Sequence, residues 1–105
     1  LDILNYFRKK INKLNSLGIN DIILDPGFGF AKDFEQNFEI LNNLNSFKIF
    51  DLPILVGLSR KSFIKTKYGV DNSLKGTLDL NKIAIENGAE IIRVHDVKEH
   101  VSLIK

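Results

Sequence analysis

Apolar positions recur along this chain in two rhythms. From Leu4 to Leu17 they fall at Leu4, Phe7, Ile11, Leu14 and Leu17, three or four residues apart, which predicts a helix with a single apolar face. Gly18 follows where a helix stop belongs. The rhythm then changes to short continuous apolar runs bounded by turn residues, the pattern of buried parallel strands. These runs predict strands over Asp21 to Asp25, over Leu52 to Leu58 with Pro53 at the start, and over Glu90 to His95. Proline is tolerated at the opening of a strand.

Between the strands the helical rhythm returns. Asp33, with Gln36 after it, forms a capping-box pattern and opens a helix with Phe34, Phe38, Leu41 and Leu44 on one face. Lys61 to Tyr68 predicts a short helix stopped by Gly69, and Val70 to Leu74 a loop. Gly76 to Asn87 predicts a helix with Leu80, Ile83 and Ala84 turned inward and Gly88 as its stop. Asp96 with Glu99 repeats the capping pattern ahead of a terminal helix. A helix followed by repeated strand–helix units predicts an α/β fold with a parallel sheet and right-handed crossovers. No linker divides the chain, so residues 1–105 are expected to belong to one domain. Strands that are apolar along their length need cover on both faces and partners at both edges, and the pattern offers no further strand to supply them. The chain also lacks methionine and begins at Leu1. Both features lead to the expectation that it is a piece of a longer polypeptide.

Composition narrows the partners. The net charge is only +2, and Arg8, Arg60 and Arg93 stand among scattered lysines, a balance that points to neither nucleic acid nor a membrane surface. No apolar run approaches the roughly 20 residues of a transmembrane helix, and no signal-peptide pattern opens the chain. With no cysteine there is no disulfide framework and no thiolate metal site, which fits a reducing, cytoplasmic setting.

Candidate chemistry gathers where the strands end, the place where α/β folds carry their sites. Asp25 is either an Asx-turn residue ahead of Pro26 or a carboxylate facing a pocket, able to accept two parallel N–H bonds from a planar amidine-like group. Gly27 and Gly29 make half of a dinucleotide fingerprint, but Lys32 stands where its third glycine would fall. Phe28 and Phe30 are either core residues or walls of an aromatic ligand pocket. Ser59 is a candidate helix N-cap. Lys61 is either a solvated cation or, with the N–H groups of a helix start, part of an anion site. Arg93 and His95 lie two apart in a strand and so face one side, where they suit a ligand or a phosphate. Asp96 is read as a helix cap and His100 as a solvated helix residue.

Three stretches in order, Leu24-Asp25-Pro26-Gly27-Phe28-Gly29-Phe30-Ala31-Lys32, Gly57-Leu58-Ser59-Arg60-Lys61-Ser62-Phe63 and Ile91-Ile92-Arg93-Val94-His95-Asp96-Val97, with Gly76-Thr77 between the last two, resemble the dihydropteroate synthase family from about Ile19 to His100. The resemblance implies a (β/α)8 TIM barrel, of which this chain would hold the C-terminal three βα units, an incomplete barrel without its opening strands. It implies a transferase of folate biosynthesis that joins a hydroxymethyl-dihydropterin pyrophosphate to 4-aminobenzoate and releases pyrophosphate. Asp25 would then bind the guanidine-like edge of the pterin and stabilise the cation formed as the C–O bond breaks. Lys61 would hydrogen-bond the pterin, Gly57 would let the ring approach the backbone, and Arg93 would stack on the ring and meet the pyrophosphate with His95. Ser59 would take the benzoate carboxylate, with Phe30 as an apolar wall.

The same resemblance implies no nucleophile or acid–base residue within this chain. It implies magnesium on the pyrophosphate, with its protein ligand outside the chain, and a homodimer of the full-length protein. Asp79 and Asn81 depart from the alanine-rich run common in the family, a difference bearing on helix packing and the dimer face. The competing readings are a pterin-binding methyltransferase domain and an inactive α/β segment. Methyltransferase domains lack the Ser-Arg-Lys and Arg-Val-His-Asp ends, so Lys61 and Arg93 favour the synthase.

Overall fold

The structure is a computed structural model that describes residues 2–28, 33–58 and 61–103. The first helix, α1 (Asp2–Ser16), carries the predicted stripe: Leu4, Phe7, Ile11 and Leu14 are all half-buried. Phe7 meets the buried ring of Phe47 edge to face, with 5.5 Å between centroids. The helix closes at Gly18, where φ is +83°. There the Ile19 N–H reaches the Leu14 carbonyl at 2.9 Å and the Gly18 N–H reaches that of Asn15 at 3.0 Å. This paired closure needs a left-handed residue, which glycine adopts without steric cost.

The capping box at Asp33 forms as its residues dictate. The Gln36 N–H donates to Asp33 Oδ1 at 2.8 Å and the Asp33 N–H donates to Gln36 Oε1 at 3.0 Å. It opens α2 (Phe34–Asn42), and a 3-10 helix over Leu44–Phe50 then buries Leu44 and Phe47. After β1 (Leu55–Gly57) come α3 (Ser62–Tyr68), a 3-10 turn at Val70–Asn72 and α4 (Ser73–Glu86). The chain ends in β2 (Ile91–Arg93), the single-turn α5 (Val97–His100) and a further 3-10 turn. Among the described residues no helix is long and apolar enough to cross a membrane.

The fold is α/β with parallel strands. β1 pairs with β2, with Leu55 opposite Ile91, Val56 opposite Ile92 and Gly57 opposite Arg93. On the other side of β1, Leu24 bridges Ile54 in parallel: the Leu24 N–H donates to the Pro53 carbonyl at 2.8 Å and the Leu55 N–H to the Leu24 carbonyl at 2.7 Å. Segment 21–25, β1 and β2 therefore lie side by side in chain order, with β1 central. Ile54, Val56 and Leu58 project from one face of β1 into a core shared with Leu41, Phe63, Ile64, Leu80 and Ala84 of α2, α3 and α4.

Four expectations are corrected. The predicted strands are longer than the ladders that form: the first is a single bridge, and the third stops at Arg93, leaving His95 in a bend. A ladder runs only as far as its neighbour does. Segment 21–25 and β2 each keep one edge without a partner among the described residues. The apolar Ile23 and Ile91, on the face opposite the core, are 54% and 37% exposed. The loop predicted over Val70 to Leu74 is a 3-10 turn followed by the start of α4, because Leu74 lies one turn before Leu78 and lengthens the apolar face. The second capping box does not form: Asp96 sits at the N-cap of α5 with φ −99° and ψ 71°, outside the extended conformation that folds a cap side chain over the helix, and makes no side-chain cap bond. His100 is not solvated but buried, because α5 turns it towards Asn81 of α4.

Candidate functional site

Residues paired across a parallel ladder project to the same side, and successive residues alternate. Since Leu24 pairs with Ile54, Asp25 shares the face of Leu55, and two residues on, Gly57 shares that face with its partner Arg93. The three stand at the C-terminal edge of neighbouring segments, opposite the face that builds the core, with Gly57 in the middle.

Asp25 is exposed, and its Oδ1 accepts the Gly27 N–H at 3.0 Å. The Asx-turn reading is thus the local geometry, and the turn itself holds the carboxylate at the strand end. Gly27 follows at φ +77°, a backbone that glycine takes without strain. Phe28 settles as core: it is buried with Leu41, Leu58 and Leu80 around a small gap beneath the loop. Phe30 and Ser59 lie outside the described residues, as do Gly29 and Arg60.

Lys61 is half-buried and occupies the N-cap position of α3 with extended backbone, φ −62° and ψ 151°. Its carbonyl accepts the N–H groups of Ile64 and Lys65 at 3.0 and 3.2 Å, so the residue is held firmly where β1 gives way to the helix. Arg93 is exposed and lays its guanidinium against the Gly57 backbone: a Cβ added at Gly57 would fall 2.8 Å from Arg93 Cζ and 3.0 Å from Nε. The close approach that glycine permits here is therefore that of Arg93 in the first instance. His95 is exposed beyond the end of β2. Among the described residues no three His, Asp or Glu side chains gather to hold a metal ion.

Two polar residues of this region were not legible as such. Asn81 is fully buried on α4, and its Nδ2 lies 2.9 Å from Nε2 of His100. The helical wheel carries the signal for Asn81, which shares its face with Thr77, Leu80 and Ala84, all buried. Nothing local marks His100, whose partner comes from another element. Asp79, the other departure from the alanine-rich run, is exposed.

The fold and this edge together define an α/β protein with parallel strands that carries a carboxylate and a guanidinium on either side of a glycine. The profile of the family described as pterin binding enzyme matches residues 2–95, and the chain belongs to that family. Its relatives are dihydropteroate synthases. It is 46% identical over 102 residues to the bifunctional dihydropteroate synthase/dihydropteroate reductase of Helicobacter pylori, a match that covers 95% of this chain and 27% of that protein. It is 44% identical over 108 residues to the dihydropteroate synthase of Escherichia coli, covering 99% of this chain and 38% of that enzyme. Among solved structures, the Yersinia pestis enzyme with a pterine-sulfa conjugate superposes with a TM-score of 0.92 at 40% identity, over 98% of this chain and 42% of that one. The chain thus spans 27% and 38% of the length of the two curated relatives.

Proposed function

We propose that this chain forms the C-terminal three βα units of a (β/α)8 barrel that condenses hydroxymethyl-dihydropterin pyrophosphate with 4-aminobenzoate to give dihydropteroate and pyrophosphate. The observation that carries this reading is the shared face of Asp25, Gly57 and Arg93 at one sheet edge. In the reaction, the C–O bond between the pterin methylene and the pyrophosphate breaks, and its electron pair leaves with the pyrophosphate. The methylene carbon becomes cationic, with its charge spread into the pterin ring. The lone pair of the aromatic amine forms the C–N bond, and the amine proton passes to solvent.

The aromatic amine is the nucleophile, so each step asks the protein for preorganised charge and not for a nucleophilic side chain. The Asp25 carboxylate, fixed by its turn, accepts from the guanidine-like edge of the pterin and favours the developing cation. Arg93, close against Gly57, offers its face to the ring and its N–H groups to the departing phosphate, and His95 adds a donor beside it. Lys61 brings a compact positive charge to the pterin from the start of α3. By resemblance, Ser59 takes the benzoate carboxylate and Phe30 walls its ring. Magnesium, when bound, would neutralise charge on the pyrophosphate. The described residues do not form a site for it, and we assign its protein ligand to the barrel outside this chain. The full-length protein is read as a cytoplasmic homodimer.

The test is the full-length protein with Asp25→Ala and, separately, Lys61→Ala. Each is expected to lower kcat/KM for the pterin pyrophosphate by the equivalent of about 2–4 kcal/mol of transition-state stabilisation while the fold persists by circular dichroism. Turnover at the parent rate in either variant contradicts the role assigned to that residue.

A further inference from the structure

The ladder that orients Arg93 ends at Arg93, so pairing with β1 does not fix the segment that carries His95 and leads into α5. The Asp96 side chain does not cap α5 either. The ring of His100 reaches this segment. Its Nδ1 lies 2.7 Å from the Asp96 carbonyl oxygen, which also receives the His100 backbone N–H at a long 3.3 Å. The ring is only 7% exposed, and its far nitrogen, Nε2, faces the Asn81 amide of α4.

These contacts assign the hydrogens. A carbonyl only accepts, so Nδ1 carries the ring hydrogen. Nε2 then accepts, and the Asn81 amide donates to it. Asn81 Oδ1 is buried without a hydrogen-bond partner among the described residues. An orphaned amide oxygen carries a desolvation cost that an apolar residue would avoid. What the amide adds in return is the bond that holds His100. The chain of contacts is therefore directional: rigid α4 holds the ring through Asn81, and the ring holds the Asp96 carbonyl, three residues after Arg93 and next to His95.

We propose that His100 is a positioning residue, tethered by Asn81, that holds the Arg93–Asp96 segment so that Arg93 and His95 meet the pyrophosphate. The tether is a matter of this chain's geometry; its catalytic consequence rests on the dihydropteroate synthase reading. Two substitutions in the full-length protein separate positioning from packing. Asn81→Leu keeps the side-chain volume on α4 and removes the bond that holds the ring. His100→Gln still reaches towards Asn81 but gives up the bond to the Asp96 carbonyl.

His100→Gln is expected to lower kcat/KM for the pterin pyrophosphate about tenfold, the scale of a small misplacement of a binding group, with KM for 4-aminobenzoate unchanged. Asn81→Leu is expected to lower it to a similar extent while the thermal midpoint stays at or above that of the parent, because the orphaned amide oxygen goes with the tether. Backbone hydrogen exchange over residues 93–97 should rise in both variants. Parent activity in either variant, a loss shared by both substrates, or unaltered exchange in both overturns the proposal. A parent protein that makes no dihydropteroate overturns the functional reading instead, and the exchange comparison then decides the tether on its own.

Discussion

Gly57 lies under the guanidinium of Arg93, and the smallest possible change there tests what the contact does. The added methyl of Gly57→Ala would stand 2.8 Å from Arg93 Cζ. The group that must move is the exposed end of a long side chain, so the cost to the fold is small. The cost to the site is not, because on the proposed reading the arginine would leave the surface where it is to meet the ring and the phosphate. The expected result is a KM for the pterin pyrophosphate raised roughly tenfold, measured beside a nearly unchanged thermal midpoint. At this scale the polar ends of apolar runs were legible: Asp25, Lys61 and Arg93 each interrupt a hydrophobic stretch, and that contrast marks a strand end. Asn81 and His100 interrupt no apolar run: the helical wheel alone places Asn81 on the buried face, and His100 looks solvated until the residue facing it from α4 is known.

The two capping patterns show what a local motif can and cannot decide. Asp33 and Gln36 open a helix of 9 residues, and both reciprocal bonds form. Asp33→Ala should destabilise the full-length protein by about 1 kcal/mol in urea denaturation, the usual worth of an N-cap; an unchanged midpoint would show that α2 is held by packing alone. Asp96 and Glu99 have the same spacing at the start of a helix of 4 residues, where no side-chain cap bond forms and the His100 ring instead contacts the Asp96 carbonyl. Helix stops were legible because Gly18 and Gly88 permit a backbone that other residues resist, and both take positive φ. Strand positions were legible from apolar runs. Strand lengths were not, since hydrogen bonds to a neighbour, and not the run itself, decide where a ladder ends.

The whole molecule shows where neighbours are wanting. Ile23 and Ile91 sit at opposite sides of the three parallel segments and are both exposed, which is unusual for apolar strand residues. Beside β2 an apolar cleft of about 450 Å³ opens, lined by Ile85, Ile92, Val97, Val101 and Leu103. A sheet closed into a barrel would cover both edges. Pterin and aminobenzoate would then be bound between loops from both halves of that barrel, and the residues described here supply one side only. On the proposed reading catalysis belongs to the full-length protein and not to residues 1–105 alone. The most direct measurement is pyrophosphate release from hydroxymethyl-dihydropterin pyrophosphate, with and without 4-aminobenzoate, by the purified full-length protein and by the isolated segment. The account predicts release by the full-length protein only, dependent on the amine and matched by dihydropteroate formed. A folded full-length protein that releases no pyrophosphate, or an isolated segment that turns over both substrates, would contradict it.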